Sequence, residues 1–192
     1  MASRSGGRSR LAAGLPAITA DQVVTAATAL TREHGLDGWS VRQLASALGV
    51  WPAVVYHHVG ERDAVLEAVT ERVVATIPLP DADLPWRAWF TELLTVARPV
   101  LRAHRGVAGR LARCGATVPS ASRIIDRGQH VLARAGFGDE VVLAYSVLFS
   151  TACQLIAVED DRHADRHAHC DQLYQYAITC CLDGLEVRLA SR

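Results

Sequence analysis

Two four-residue stretches near the start of the chain, Thr19-Ala20-Asp21-Gln22 and Ser40-Val41-Arg42-Gln43, each set a hydroxyl residue three positions ahead of a glutamine. That spacing is the capping box. The hydroxyl accepts from the backbone N–H three residues on, and the glutamine amide answers to the backbone of the capping residue. Helix is therefore expected to start at two fixed points. After the first, Val23, Ala26, Ala27, Leu30 and His34 recur at helical spacing, and Gly35 suits the position past the helix end. The second opens a short helix to about residue 47. Pro52 fits the first turn of a third helix. Gly60 precedes a fourth, over about 62–77, with Ala64, Val65, Ala68, Val69, Val73 and Ile77 as its buried stripe.

Residues 78–85 carry three prolines in eight positions and break this pattern, which places a domain boundary there. Helical periodicity then resumes. Trp86, Trp89, Phe90, Leu93, Val96 and Val100 share a spacing, and Pro99 is expected to kink their helix. Residues 141–158 are apolar on nearly every face (Val142, Tyr145, Val147, Leu148, Phe149, Cys153, Leu155, Ile156), as are residues 173–189. A helix apolar all round is expected to be buried from several sides. No strand-like alternation occurs. The predicted fold class is all-α. A basic arm covers 1–18, a three-helix helix-turn-helix domain covers 19–77, and a helical bundle covers 84–192.

Composition narrows the function. Half of the 192 residues are hydrophobic and 21% are charged, a globular balance. Twenty arginines, with no lysine, offset twenty acidic residues. Zero net charge argues against a sequence-blind polyanion binder and leaves room for a specific one that makes few phosphate contacts. Five cysteines without a repeating spacing read as reduced thiols. No uninterrupted apolar run of about 18 residues is expected to cross a membrane, and Gly14 and Pro16 interrupt residues 11–17 as a signal segment. A cytoplasmic protein with no membrane partner is expected. Neither a nucleophile elbow, a phosphate loop, Rossmann glycines nor a zinc-protease helix motif occurs, so no enzyme and no cofactor are expected. Residues 160–170 hold His163, His167, His169, Cys170 and three aspartates, yet Arg162 and Arg166 intrude; a solvated loop between helices explains them, and no metal is expected.

The stretch that carries chemistry is 40–58, SVRQLASALGVWPAVVYHH. Ala45 lies four residues before Gly49. The small side chain lets two helices approach, and the glycine takes the positive φ of a tight turn. Val50 and Val55 pin the second helix on the first. Trp51, Ala53, Val54, His57 and His58 are then turned outward, where a major groove fits.

Residues 19–77 resemble the N-terminal domain of the tetracycline-repressor (TetR) family of bacterial transcriptional regulators. The resemblance rests on Thr19, on Gly35-Leu36-Asp37-Gly38-Trp39-Ser40-Val41-Arg42, on Leu44-Ala45 with Leu48-Gly49-Val50, on Val55-Tyr56-His57-His58-Val59 and on Arg62-Asp63-Ala64-Val65-Leu66. In the other half only Ala135-Gly136-Phe137 and Leu182-Asp183-Gly184-Leu185-Glu186 look like recurrent family pieces. The resemblance implies that Ser40 and the start of the second helix face phosphate, that Arg42 reaches phosphate or a base edge, that Tyr56 and His58 touch the DNA backbone, and that Arg62 pins it. Trp51, Pro52, Ala53, Val54 and His57 would face base edges. This recognition helix is apolar, which departs from relatives that read bases with Gln or Thr, so readout would lean on Arg42 and on thymine methyls.

Two long apolar helices per subunit fit a four-helix interface with a second copy, so a homodimer is expected. Trp86, Trp89, Phe90, Tyr145, Phe149 and Gln154 are the candidate lining of a pocket for a small apolar effector. The expected function is a ligand-responsive regulator, a repressor released from an inverted-repeat double-stranded DNA operator. The alternatives are a helical interaction module, or a metal- or redox-responsive regulator using residues 163–170.

Overall fold

The computed structural model describes residues 18–115, 117–160 and 167–191. The basic arm, up to residue 17, and His163 lie outside the described residues, as does the side chain of His167. Among the described residues there are nine α-helices and no strand, so the all-α class holds. The chain forms two compact units, Met1–Arg72 and Val73–Arg192, which part inside the fourth helix; the proline-rich segment belongs to the second unit.

The first unit contains α1 (Ala20–His34), α2 (Val41–Leu48), α3 (Pro52–Val59) and the start of α4 (Arg62–Ala75). Both capping boxes are formed, on Thr19 and on Ser40. α2 ends on Gly49 in the left-handed region, φ 64°. The Val50 N–H then donates to the Ala45 carbonyl and the Gly49 N–H to that of Ser46, at 3.0 and 3.1 Å, which closes the turn into α3.

The stripes differ from the periodic reading. α1 buries Val23, Val24, Ala27 and Thr31 and exposes His34. The reason is hydrogen bonding. The Thr31 hydroxyl donates to the Ala27 carbonyl at 2.9 Å and accepts from Trp39 Nε1 at 3.0 Å, so a polar residue goes inside satisfied. In α4, Leu66, Thr70 and Val74 join Val65, Val69 and Val73 in the core, whereas Ala64 is exposed.

The second unit holds α5 (Trp86–Arg102), α6 (Val107–Cys114), α7 (Pro119–Ala135), α8 (Val141–Asp160) and α9 (His167–Ala190). α8 packs against α5, α6, α7 and α9. α5 runs past Pro99 to Arg102, with the proline exposed in its last turn. α7 ends on Gly136 at φ 98°, and Phe137 behind it is fully buried edge-on to Trp86, centroids 5.3 Å apart.

One expectation is corrected. α8 is not buried from several sides. Its core face is Ala144, Tyr145, Leu148, Ala152, Cys153, Ile156 and Glu159, while Val142, Leu143, Val147 and Val158 are 44–66% exposed. By length and composition the segment Gly138–Asp160 is apolar enough to cross a bilayer, contrary to the sequence reading. Its packed face, which includes the ion-paired Glu159, is that of a bundle helix. α9 likewise buries Cys170, Tyr174, Ile178, Leu182 and Leu185 and exposes Leu173, Tyr176 and Val187.

A buried ionic cluster ties three of these helices together. Arg98 on α5 is 8% exposed and Glu159 on α8 is 5% exposed. Arg98 Nη2 lies 2.9 Å from Glu159 Oε2 and 2.7 Å from Asp171 Oδ1 on α9. Arg102 closes the square at 2.9 Å to Glu159 Oε1 and 3.2 Å to Asp171 Oδ1. The Arg98 guanidinium also sits 4.4 Å from the Tyr174 ring centroid.

Candidate nucleic-acid interface and inner cavity

α3 is held down by one fully buried side chain, Val55, with Pro52 and Val59 half-buried beside it. These three share a helix face, so the opposite face is turned out. Trp51 is 63% exposed and Tyr56 48% exposed, and Ala53 and His57 are exposed with them. The His57 and His58 rings meet edge to face at 5.3 Å. Val54, Pro52 and His58 are only half-exposed, so the outward surface is narrower than the sequence suggested.

At the start of α2, Ser40 is exposed but its hydroxyl is engaged with Gln43: it accepts from the backbone N–H at 3.3 Å and donates to Oε1 at 2.9 Å. Arg42, in the first turn of the same helix, is exposed. Arg62 starts α4, as expected, but much of its guanidinium is used inside the unit. It donates to the Trp39 carbonyl at 3.2 Å and the Asp37 carbonyl at 3.4 Å, lies 3.7 Å from Asp37 Oδ1, and stands 5.7 Å from the Trp39 ring centroid. Arg62 therefore fixes the loop that delivers Ser40 to its capping position. Tyr56, Gly60, Glu61 and Arg62 also surround one shallow surface depression, where the Glu61 carboxylate opposes an approaching phosphate.

The second unit contains a partly open cavity of about 60 Å³. Of the six residues expected there, Phe90, Tyr145 and Phe149 line it. Trp86 and Trp89 do not; both are buried, Trp86 edge-on to Phe137 and Trp89 edge-on to Phe90. Gln154 is exposed on the outer face of α8. The rest of the lining is aliphatic except for Cys153 and Tyr174, which periodicity did not single out. Nothing local distinguishes a cavity side chain from any other core side chain, because the void is made by what faces it.

Burial pushes the Cys153 thiol up to about 12 and lifts the Tyr145 and Tyr174 phenols well above their usual range. All three are protonated at neutral pH, and ionising any of them is easier in the unfolded chain. The stability they contribute is thus whole below pH 9, the ordinary value for a thiol, and is lost as pH rises toward the folded values. Thermal unfolding followed from pH 7 to 10.5 should show Tm falling over the upper part of that range. Native labelling with a maleimide at pH 8 should modify the exposed Cys114 and leave Cys153 unmodified until denaturant is added; mass spectrometry reads both. Prompt labelling of Cys153 would contradict its placement.

Among the described residues no group of His, Cys, Asp and Glu is gathered to hold a metal ion. His169 is exposed and Cys170 buried, on successive faces of α9.

Comparison with known proteins agrees with this architecture. Residues 23–69 match the domain described as bacterial regulatory proteins, tetR family. The tetracycline repressor protein class A from transposon 1721 of Escherichia coli is 33% identical over 136 residues, which span 67% of this chain and 62% of that repressor. The chain thus spans less than two thirds of this relative's length. Among solved structures, BioQ of Mycobacterium smegmatis superposes with a TM-score of 0.75 at 24% identity, over 88% of this chain and 98% of that one. ActR of Streptomyces coelicolor in complex with actinorhodin superposes at 0.70 and 26% identity, over 83% of this chain and 76% of that one. With its helix-turn-helix matched in sequence and its helical remainder matched in fold, this chain carries the N-terminal domain of the tetR family of bacterial regulatory proteins and shares the fold of these solved structures.

Proposed function

We propose that the protein is a ligand-responsive, sequence-specific DNA-binding transcription regulator of the cytoplasm, a repressor that leaves its operator when a small apolar effector enters the cavity. The observation that carries this reading is α3, a short helix whose one fully buried side chain is Val55 and whose outward face offers Trp51, Ala53, Tyr56 and His57. Two relatives lend support: BioQ has been solved with a double-stranded DNA operator, and ActR with a small molecule. The reading assigns the chain no catalytic step.

The exposed stripes of α8 and α9 supply the rest. Leu143, Val147 and Val158 recur along α8 and Leu173, Tyr176, Cys180, Gly184 and Val187 along α9, at spacings of three, four and their sums. A second copy laid on them makes a four-helix interface and buries what is otherwise an apolar surface in water. Two recognition helices in a two-fold dimer read half-sites about 34 Å apart, so the operator is an inverted repeat. A coupling of about 1–3 kcal/mol between effector and DNA changes DNA affinity roughly 5–150-fold.

The test is a fluorescence titration of the purified protein against DNA upstream of its own gene and against a scrambled fragment, at several salt concentrations. Tight, salt-sensitive binding to the native fragment alone is the expected result. The variant Arg42→Ala should weaken that binding and lower the salt slope by about 1, the signature of one lost phosphate contact. An unchanged slope with reduced discrimination between the fragments would move Arg42 from phosphate to base readout, and no effect on either would remove it from the interface.

A further inference from the structure

Gly128 stands where glycine is unfavourable. It is buried in the interior of α7, and a helix interior is weakened by glycine relative to alanine. A close approach explains it. A Cβ at this position would lie 2.7 Å from Cε2 and 2.9 Å from Cδ2 of Tyr145, and 3.2 Å from Cζ of Phe90. The Tyr145 ring is thus seated against the bare backbone of α7, in a notch that a single methyl group would fill.

Both rings at that notch are cavity walls. Phe149, a third wall, stacks on Tyr145 with centroids 6.0 Å apart and planes 18° apart. Tyr145 is 5% exposed, so a ring pushed off α7 finds protein around it and free space in the cavity it borders. About 60 Å³ is less than half of the roughly 150 Å³ in which an apolar cavity accepts benzene. The displacement of one ring decides how much of it is left. The lining also has no charged side chain. Its polar side-chain groups are the hydroxyls of Tyr145 and Tyr174 and the thiol of Cys153, and the Tyr174 hydroxyl already donates to the Leu94 carbonyl at 3.4 Å. An ionic ligand would be desolvated there without a partner.

We propose that Gly128 sets the size of the ligand this cavity admits, by giving the Tyr145 ring a recess, and that the ligand part held there is small, apolar and uncharged. The proposal deepens the reading of this cavity as the effector site. Gly128 acts as a positioning residue: it touches no ligand and works through Tyr145.

The test uses the whole protein without DNA, with xenon and benzene as probes. Xenon should bind saturably to the unaltered protein, read by xenon NMR, and at least tenfold more weakly to Gly128→Ala. Tyr145→Val removes the ring and should admit benzene, read as a rise in Tm, with no rise from benzoate. The double variant Gly128→Ala/Tyr145→Val should bind benzene within about twofold of Tyr145→Val, because without the ring the methyl has nothing to displace. A merely structural glycine would lower the Tm of Gly128→Ala and leave xenon binding by the folded protein as it was; that result overturns the proposal. So does benzene binding lost from the double variant, a comparison that holds even where Gly128→Ala alone fails to fold. Benzoate binding as tight as benzene overturns the uncharged assignment. Failure of the operator titration alongside these results removes the regulator reading and leaves the cavity assignment standing.

Discussion

Glu159→Leu is expected to destabilise the Val73–Arg192 unit by about 3–5 kcal/mol, the cost of breaking a buried ion pair from one side. The leucine would leave Arg98, 8% exposed, with the half-exposed Asp171 as its remaining carboxylate, and would take from Arg102 its shorter contact. Arg98 Nε already lies buried with no hydrogen-bond partner among the described residues, so the guanidinium has no reserve. The same reasoning expects Arg98→Met/Glu159→Leu to recover most of the loss, because two apolar side chains of similar length need no solvation. Urea unfolding of the three proteins measures both effects. A single-variant cost below about 1 kcal/mol would show that water reaches the cluster and screens it.

The second large effect concerns association. Leu143→Glu/Val147→Glu places two carboxylates on the exposed stripe of α8, at positions 66% and 48% exposed in the single chain. Such substitutions barely touch the fold of one copy, since surface changes of this kind lie within about 0.5 kcal/mol. Against a second copy they bury four like charges. The variant should sediment as a monomer with an unaltered circular dichroism spectrum. Its affinity for an inverted-repeat operator should fall at least about 100-fold, because two linked reading heads gain roughly 10²–10⁴ over one. A dimeric variant would place the subunit interface elsewhere, and a monomer with undiminished affinity would sink the two-headed reading of the operator.

Both predictions rest on features that the sequence showed only in part. The apolar character of residues 141–158 was plain, but its meaning was not. A helix apolar all round reads as one buried on every side, and α8 is instead buried on one face and bare on the other. Composition cannot tell a core face from an interface face, since both are made of the same residues. The ionic cluster was invisible. Arg98 and Glu159 stand 61 positions apart, and their pairing exists only once α5 and α8 lie side by side.

The recognition unit was legible because its signals are local. A capping box, a proline in the first turn and a glycine past the end act over at most five residues, and the hydrogen bonds they form need no other part of the chain. Thr19, Ser40 and Pro52 therefore set the starts of α1, α2 and α3, and Gly35, Gly49 and Gly60 their stops. Residues whose roles depend on distant partners escaped. Thr31 goes inside because Trp39 donates to it, Arg62 is drawn to the carbonyls of residues 37 and 39, and Gln154 turns to solvent although its neighbours line the cavity. The cavity itself depends on the missing side chain of Gly128 and on rings from α5 and α8. In the first unit, local sequence signals were enough to start α1, α2 and α3 and to show which short helix is offered outward. The tertiary structure alone decided which faces are covered, which charges are paired and where space is left, because each of these is a relation between residues far apart in the chain.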